Sequence, residues 1–124
     1  MPALLKKRSA ALDPIAQLED DLARAAREPE RFPRTAKLLS AGPAQQAKKM
    51  MEEAAELAIE AVRNDRAAAL QEAADLIYNL LALLRGMDIP FPAVLTELER
   101  RRVAYGIAAK LPKPGTLPGL SGGK

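Results

Sequence analysis

The chain has 124 residues, enough for one compact domain, and alanine and leucine dominate over the 3% of aromatic residues, which favours helix over strand. Cysteine and histidine are both absent, which excludes disulfides, thiolate or histidine metal sites, cysteine catalysis and Ser-His-Asp triads. The net charge of +3 suits a protein that handles anions such as nucleotides or phosphates, but it does not require nucleic acid.

The N-terminal stretch MPALLKKRSAAL places basic residues after a short apolar patch, which is the wrong order for a secretory signal. No apolar run in the sequence approaches the roughly 18 residues of a membrane span. We therefore expect residues 1–12 to be a flexible terminus. We also expect a cytoplasmic protein with no membrane partner.

Two helices are predicted in the first third of the chain. In LDPIAQLEDDLARAARE, Asp13 is a candidate N-cap and Pro14 occupies the first helical position. Two prolines end this helix and open a loop. The stretch TAKLLSAG predicts a short helix from Thr35 to about Ser40 that is closed by Gly42.

Two long helices follow, and the connection between them is short. The first is predicted from Pro43 to about Arg63, and the second from about Asp65 to Arg85, with the next glycine as its stop. The stretch RNDR reads as a tight turn, since Asn64 tolerates left-handed geometry. A connection this short makes the two helices an antiparallel hairpin.

The last predicted helix begins at Pro92, and a proline- and glycine-rich tail follows it. No internal repeat or strand pattern is evident. The sequence therefore predicts an all-α helical bundle built on the hairpin, as one domain over residues 13–110 with flexible termini at 1–12 and 111–124. The arginines at 100–102 are interpreted as a solvated helix end, and so few aromatics argue against a nucleic-acid partner.

Acidic residues gather at two places on the predicted hairpin. Glu53 and Glu56 lie three residues apart on its first helix, and Glu72 and Asp75 repeat that spacing on the second. Asn79 extends the second pair into one polar stripe on a helix that is otherwise apolar and expected mostly in the interior. Partly buried carboxylates need compensation, and a site made only of oxygens indicates Mg²⁺ or Mn²⁺.

Two other kinds of carboxylate metal site do not fit this sequence. A di-iron bundle would need Glu-x-x-His, and an EF-hand would need its Asp-rich loop; the sequence has neither. A solvated acidic face combined with one structural polar stripe stays open as the alternative to a metal site. The residues alone do not decide between these two.

The spacing Glu-Glu-x-x-Glu, fifteen residues, then Glu-x-x-Asp resembles the signature of the all-α MazG-like nucleoside triphosphate pyrophosphohydrolases. Within that superfamily the chain is most similar to the phosphoribosyl-ATP pyrophosphatases of histidine biosynthesis. TAKLLSAG resembles their Thr-x-Lys-Leu stretch, KKMMEEAAELAIEAVRNDRAAALQEAADLIYNLLALL their two acidic helices, and VLTELERRR their closing helix. The resemblance covers about residues 15 to 102. Two positions depart from it: Met51 stands where the family usually has glycine, and Asn79 where it usually has histidine.

The resemblance implies magnesium-dependent hydrolysis of phosphoribosyl-ATP between its α and β phosphates, giving phosphoribosyl-AMP and pyrophosphate. It also implies a homodimer or larger assembly that completes the bundle. The implied metal ligands are Glu53, Glu56, Glu72 and Asp75.

Further residues receive expected roles from the same resemblance. Glu52 is expected to be a ligand or to position water, so that all five acids are candidate catalytic residues. Lys37 and Lys49 are candidates for binding the substrate phosphates, although either could be an ordinary solvated lysine. Asn79 faces the expected substrate pocket, and Tyr78 is interpreted as a core residue.

Two other functions are compatible with the sequence. One is a pyrophosphohydrolase of the same superfamily for another nucleoside triphosphate, with Asn79 marking a changed pocket. The other is a non-catalytic dimeric helical module that has kept the scaffold. Retention of all the acids argues against the second, because an inactive site has no physical need for charges that are costly to bury.

Overall fold

The structure, a computed structural model of the chain, describes residues 13–105, and this part contains five α-helices and no β-strand. The expected all-α class is thereby confirmed. In chain order the helices are α1 (Pro14–Arg27), α2 (Pro33–Ser40), α3 (Pro43–Val62), α4 (Arg66–Gly86) and α5 (Phe91–Tyr105).

The chain divides into two compact units, Met1–Ile89 and Pro90–Lys124. Helices α1 to α4 belong to the first unit and α5 to the second. The expected domain over residues 13–110 stays a prediction, and the expected flexible termini lie outside the described residues.

In the second unit, the arginines near the end of α5 are paired within their own helix. Arg100 and Arg101 contact the Glu97 carboxylate at 2.7 and 3.0 Å, and Arg102 contacts Glu99 at 2.7 Å. Hydrogen bonds from Arg100 and Arg101 lower the pKa of Glu97 to about 2. The basic stretch at residues 100–102 is therefore largely neutralised by neighbouring glutamates.

Helices α3 and α4 form the predicted hairpin and share the most extensive interface between any two elements described. The turn between them has the conformation that its residue types predict, since Asn64 has a left-handed backbone with φ 58°. Asp65 then caps α4, and its carboxylate accepts a hydrogen bond of 3.0 Å from the backbone N–H of Ala68.

Helices α1 and α2 pack on each other and, less extensively, on the hairpin. Asp13 caps α1 as predicted, since its carboxylate accepts a 3.0 Å hydrogen bond from the N–H of Ile15. The fully buried apolar side chains are few in the described residues, and they come from α1 and α4: Leu22, Ala25, Leu81 and Ala82. This core is small for a hairpin of such length.

Helix α4 ends at Gly86, as the sequence predicts. Gly86 itself is helical, and the left-handed position falls two residues later, at Asp88 with φ 58°. Gly42 does have the expected terminating conformation, with φ 93° just before α3. The backbone conformation therefore requires glycine at position 42 but not at position 86.

The hydrophobic side chains of the hairpin are less buried than the sequence predicts. Leu70 is 72% exposed and Val62 is 88% exposed, and Met51, Ile59 and Ile77 are exposed as well. The reason is geometric, because α1 and α2 are too short to cover a hairpin of two helices with 20 and 21 residues. The single chain leaves an apolar surface on α3 and α4.

One helix bears on the expectation that the chain has no membrane span. Helix α4 is 21 residues long and contains an 18-residue window of mean hydropathy 1.3, so by length and composition it could cross a membrane. The core helix of a soluble protein passes the same test, and α4 carries Glu72, Asp75 and Asn79. The test is therefore only weak support for a membrane span.

The cap on α4 leads to a prediction about stability. Replacing Asp65 with alanine is expected to lower the free energy of unfolding by about 1 kcal/mol, because the Ala68 N–H loses its acceptor. Asp65→Asn retains an acceptor at this position and is the matched control. Urea denaturation of the three proteins checks this, and equal losses in both variants would contradict the role of the cap.

Candidate active site

Three carboxylates from the two hairpin helices meet at one place. Glu53 and Glu56 of α3 and Glu72 of α4 each offer an oxygen atom within 4.8 Å of the others. We call these three residues the carboxylate cluster. The two on α3 share a face because they are three residues apart, and the short turn at residue 64 folds α4 back so that Glu72 faces them. The structure thus brings together three of the acids predicted from the sequence.

The environment of the cluster disfavours three full negative charges. Glu53 is only 8% exposed, and the Oε1 atom of Glu72 is shielded from solvent with no hydrogen-bond donor among the described residues. Desolvation of Glu72, together with the nearby Glu53 and Glu56 carboxylates, raises its pKa to about 7. A proton on Glu72 relieves the repulsion by hydrogen bonding to a neighbour, and a divalent cation can do so for all three. An oxygen-only site of this kind fits Mg²⁺ or Mn²⁺.

The other two predicted acids lie outside the cluster. Asp75 is exposed and lines a cavity that Glu53 also lines. The carboxylate of Glu52 is 49% exposed and lies 3.8 Å from the Nζ of Lys49. The same Nζ atom lies 3.5 Å from Glu53, so Lys49 bridges an exposed acid and a buried one. The helical spacing predicts that Glu52 and Asp75 lie near the other acids, but their carboxylates are not part of the cluster.

The cavity has a volume of about 870 Å³ and combines acidic and basic lining residues. Glu53 and Asp75 supply negative charge, and Arg34, Lys37 and Lys49 supply positive charge. Both lysines predicted to bind phosphate therefore line it. A cavity of this size can admit a nucleotide, and its mixture of charges suits a metal together with phosphate groups.

Asn79 is buried at the wall of this cavity. It is 4% exposed, and its Nδ2 donates a 2.8 Å hydrogen bond to the backbone carbonyl of Asp75. Its Oδ1 is buried and has no donor within the described part of the chain. Neighbouring Tyr78 also lines the cavity, and its hydroxyl lies 2.8 Å from the Oγ1 of Thr35. Tyr78 is thus a half-buried wall residue with a polar partner as well as a packing residue.

The sequence interpretation predicted this short helix but missed one of its basic residues. The helix begins at Pro33, two residues before the predicted start, and so includes Arg34. Arg34 lies three residues before Lys37, so both project from one side of α2 toward the cavity. Leu38 and Ala41 continue the same helical spacing along the lining, and that periodicity is the signal in the sequence that identifies Arg34.

The sequence also resembles known families and proteins. A family model described as Phosphoribosyl-ATP pyrophosphohydrolase matches residues 15–102. A phosphoribosyl-ATP pyrophosphatase of Methylobacterium nodulans is 52% identical over 87 residues, which cover 70% of this chain and 80% of that protein. Proteins of the same name from Cereibacter sphaeroides and Agrobacterium fabrum are 53% and 49% identical over 76 and 80 residues. These alignments cover 61% and 64% of this chain, and 74% and 75% of those proteins.

The raised pKa of Glu72 predicts how stability depends on pH. Its pKa of about 7 in the folded chain exceeds its ordinary value of 4.5, so the folded state holds the proton more tightly than the unfolded state. This contribution to stability is complete below pH 4.5 and is lost as pH rises through about 7. The melting temperature of the metal-free protein should therefore fall from about pH 5 to pH 8 through this group.

Thermal unfolding in the presence of a chelator measures that slope. Glu72→Gln should remove the part of the slope that comes from this group, whereas Glu30→Gln, at an exposed site outside the cluster, should leave it unchanged. Identical slopes in the wild type and the Glu72→Gln variant would contradict the assignment.

Proposed function

Because the chain belongs to the phosphoribosyl-ATP pyrophosphohydrolase family, we propose that its carboxylate cluster and the cavity that shares Glu53 with it form the active site. The protein is a phosphoribosyl-ATP pyrophosphohydrolase of histidine biosynthesis. This function replaces the two alternatives that the sequence left open, another triphosphate substrate and a non-catalytic module. The observation that carries the assignment of the site is the meeting of three carboxylates from two helices within 4.8 Å.

The family generally uses Mg²⁺, and we propose that this chain binds it, with Mn²⁺ as a substitute. The proposed ligands are Glu53, Glu56, Glu72 and Asp75. The oxygen-only donor set supports this choice, as does the shielded Glu72 oxygen that lacks a donor. Asp75 is included among the proposed ligands because it lines the same cavity as Glu53.

Hydrolysis forms a bond between a water oxygen and phosphorus and breaks the bridge between the α and β phosphates, so that phosphoribosyl-AMP and pyrophosphate leave. The metal, when bound, neutralises the phosphate charge and favours ionisation of the attacking water. Glu52 is proposed to orient water, and the support is its exposed carboxylate, which shares the Lys49 ammonium group with buried Glu53. Lys37 of α2 and Lys49 of α3 are proposed to hold the non-bridging phosphate oxygens, and Arg34 of α2 adds a planar donor.

Asn79 is proposed to contact the part of the substrate beyond the phosphates. Its Nδ2 is held by a backbone carbonyl, which leaves Oδ1 as an acceptor for an N–H or O–H group of the substrate. An amide keeps this acceptor at every pH, whereas an imidazole would lose it on protonation. The substrate-recognising contact is therefore independent of pH near neutrality.

The enzyme is further proposed to act in the cytoplasm as a homodimer or larger assembly. The support is the exposed apolar surface on α3 and α4, formed by Met51, Ile59, Val62, Leu70 and Ile77. A surface of this kind is costly in water, and covering it with the same surface of a second copy would complete the bundle. The small core of the single chain is consistent with this arrangement.

Glu56 provides the direct test of the active site. Replacing it with glutamine retains its size but removes one charged ligand, so pyrophosphate release from phosphoribosyl-ATP with Mg²⁺ should fall about 100-fold or more. Glu60→Gln is the matched control, because it makes the same change one turn further along α3 and outside the cluster. Equal activity in both variants would contradict the proposed site.

A second prediction concerns the assembly. Sedimentation should give at least twice the chain mass of 13.4 kDa for the wild type. Leu70→Glu should shift the protein toward the monomer, because it places a charge in the apolar surface. Gln71→Glu adds the same charge at the next exposed residue and serves as the control. A wild type that sediments as a single chain at all concentrations would contradict the proposal.

A further inference from the structure

Helix α2 forms one wall of the cavity but has few features of its own to hold it in place. It has eight residues, its N-terminus lacks a side-chain cap, and none of its residues is fully buried. A helix this short is unstable in isolation, so its position depends on contacts with the rest of the chain. Arg34, Thr35, Lys37 and Leu38 of this helix all line the cavity.

Gln46 of α3 holds the C-terminal end of α2. Its side chain is almost fully buried, at 1% exposure. Its Nε2 donates hydrogen bonds of 3.1 Å to the backbone carbonyls of both Leu38 and Leu39. These carbonyls belong to the last turn of α2, where a helix offers few partners of its own, and that of Leu38 also accepts a 3.2 Å hydrogen bond from the N–H of Ala41. Gln46 therefore caps α2 from a different helix.

Because Gly86 of α4 has no side chain, the Gln46 amide can occupy the space directly beside it. A Cβ atom added at Gly86 would lie 2.5 Å from the Oε1 of Gln46, which is closer than atoms can approach, and 3.3 Å from its Cδ. Gln46 cannot easily move away, because both hydrogens of its amide are already used on α2. Gly86 has no left-handed backbone angle that would require glycine, so the close approach of Gln46 is the structural reason for glycine at this position.

The N-terminal part of α2 has its own polar contact with the hairpin. The Thr35 hydroxyl lies 2.8 Å from the hydroxyl of Tyr78 on α4. Helix α2 is thus fastened near both ends, by Tyr78 of α4 at one and by Gln46 of α3 at the other. Lys37 lies between these two contacts, and Arg34 directly precedes the first of them.

We propose that Gln46 and Gly86 are a matched pair that sets the position of α2, and that Gln46 is thereby a positioning residue for the phosphate-binding wall of the cavity. Gln46 touches neither the carboxylate cluster nor the cavity, so it acts through α2. The role of that wall rests on the function proposed above. The pairing of Gln46 with Gly86 stands on the distances alone.

A double-mutant cycle tests the pair through the sign of one substitution. In the wild-type background, Gly86→Ala should lower the melting temperature, because the new Cβ collides with Gln46. In the Gln46→Ala background the same change should raise it, because the collision is gone and alanine favours the helix. If Gly86→Ala alone does not fold, recovery of folding by the added Gln46→Ala is the equivalent result.

Kinetics with phosphoribosyl-ATP and Mg²⁺ test the positioning role. In Gln46→Ala, KM should rise about tenfold while kcat changes far less, because the carboxylate cluster lies on the hairpin and not on α2. Gln71→Ala, the same change at an exposed position of α4, is the control and should leave KM unchanged. If Gln46 had a purely structural role, Gln46→Ala would lower the melting temperature but would not raise KM while leaving kcat nearly unchanged.

The Gln46–Gly86 pair and the positioning role of Gln46 are tested by different results. A drop in melting temperature on Gly86→Ala that is equal in both backgrounds would overturn the pair. An unchanged KM in Gln46→Ala would overturn the positioning role. If Glu56→Gln retained full activity, the proposed active site would fail, while the reversal of sign in melting temperature would still support the pair.

Discussion

Like charges held close together are the constraint on which this structure depends. Three carboxylates lie within 4.8 Å, and their repulsion acts to separate the two helices that carry them. The tight turn at Asn64 and the cap at Asp65 oppose that separation by fixing α4 against α3. Desolvation of Glu72, together with this repulsion, raises its pKa to about 7. A cation bound by the three carboxylates would replace this repulsion with attraction to the cation, which supports the metal site proposed above.

Buried polar side chains help to fix the positions of the helices in this protein, a role that an aromatic core would have in another protein. The fully buried apolar residues of the described chain are four and include no aromatic residue. Three polar residues, Gln46, Glu53 and Asn79, are buried beside them, and Gln46 and Asn79 have hydrogen bonds to backbone carbonyls. Such bonds are directional, so they define where the small helix α2 and the cavity wall lie more narrowly than apolar contact alone.

The sequence was sufficient for features that depend on local spacing. Asn64 and Asp65 identified the turn, and pairs of acids three residues apart identified the cluster, because both follow from helix geometry. Spacing gives the angle of a side chain around a helix but not its depth or reach. That is why Asp75 lies outside the cluster and why Leu70 is exposed where an interior position was expected. The function of Gly86 depends on a residue forty positions away, and no local pattern contains that information.

The position of Lys49 links the acids to the cavity. Its ammonium group lies 3.8 and 3.5 Å from two glutamates and offsets part of their charge, while it also lines the cavity. A cation held by the carboxylates would take over that part of the charge, and the same ammonium group would then be available to an anion in the cavity. One flexible side chain can therefore serve either of two sets of negative groups.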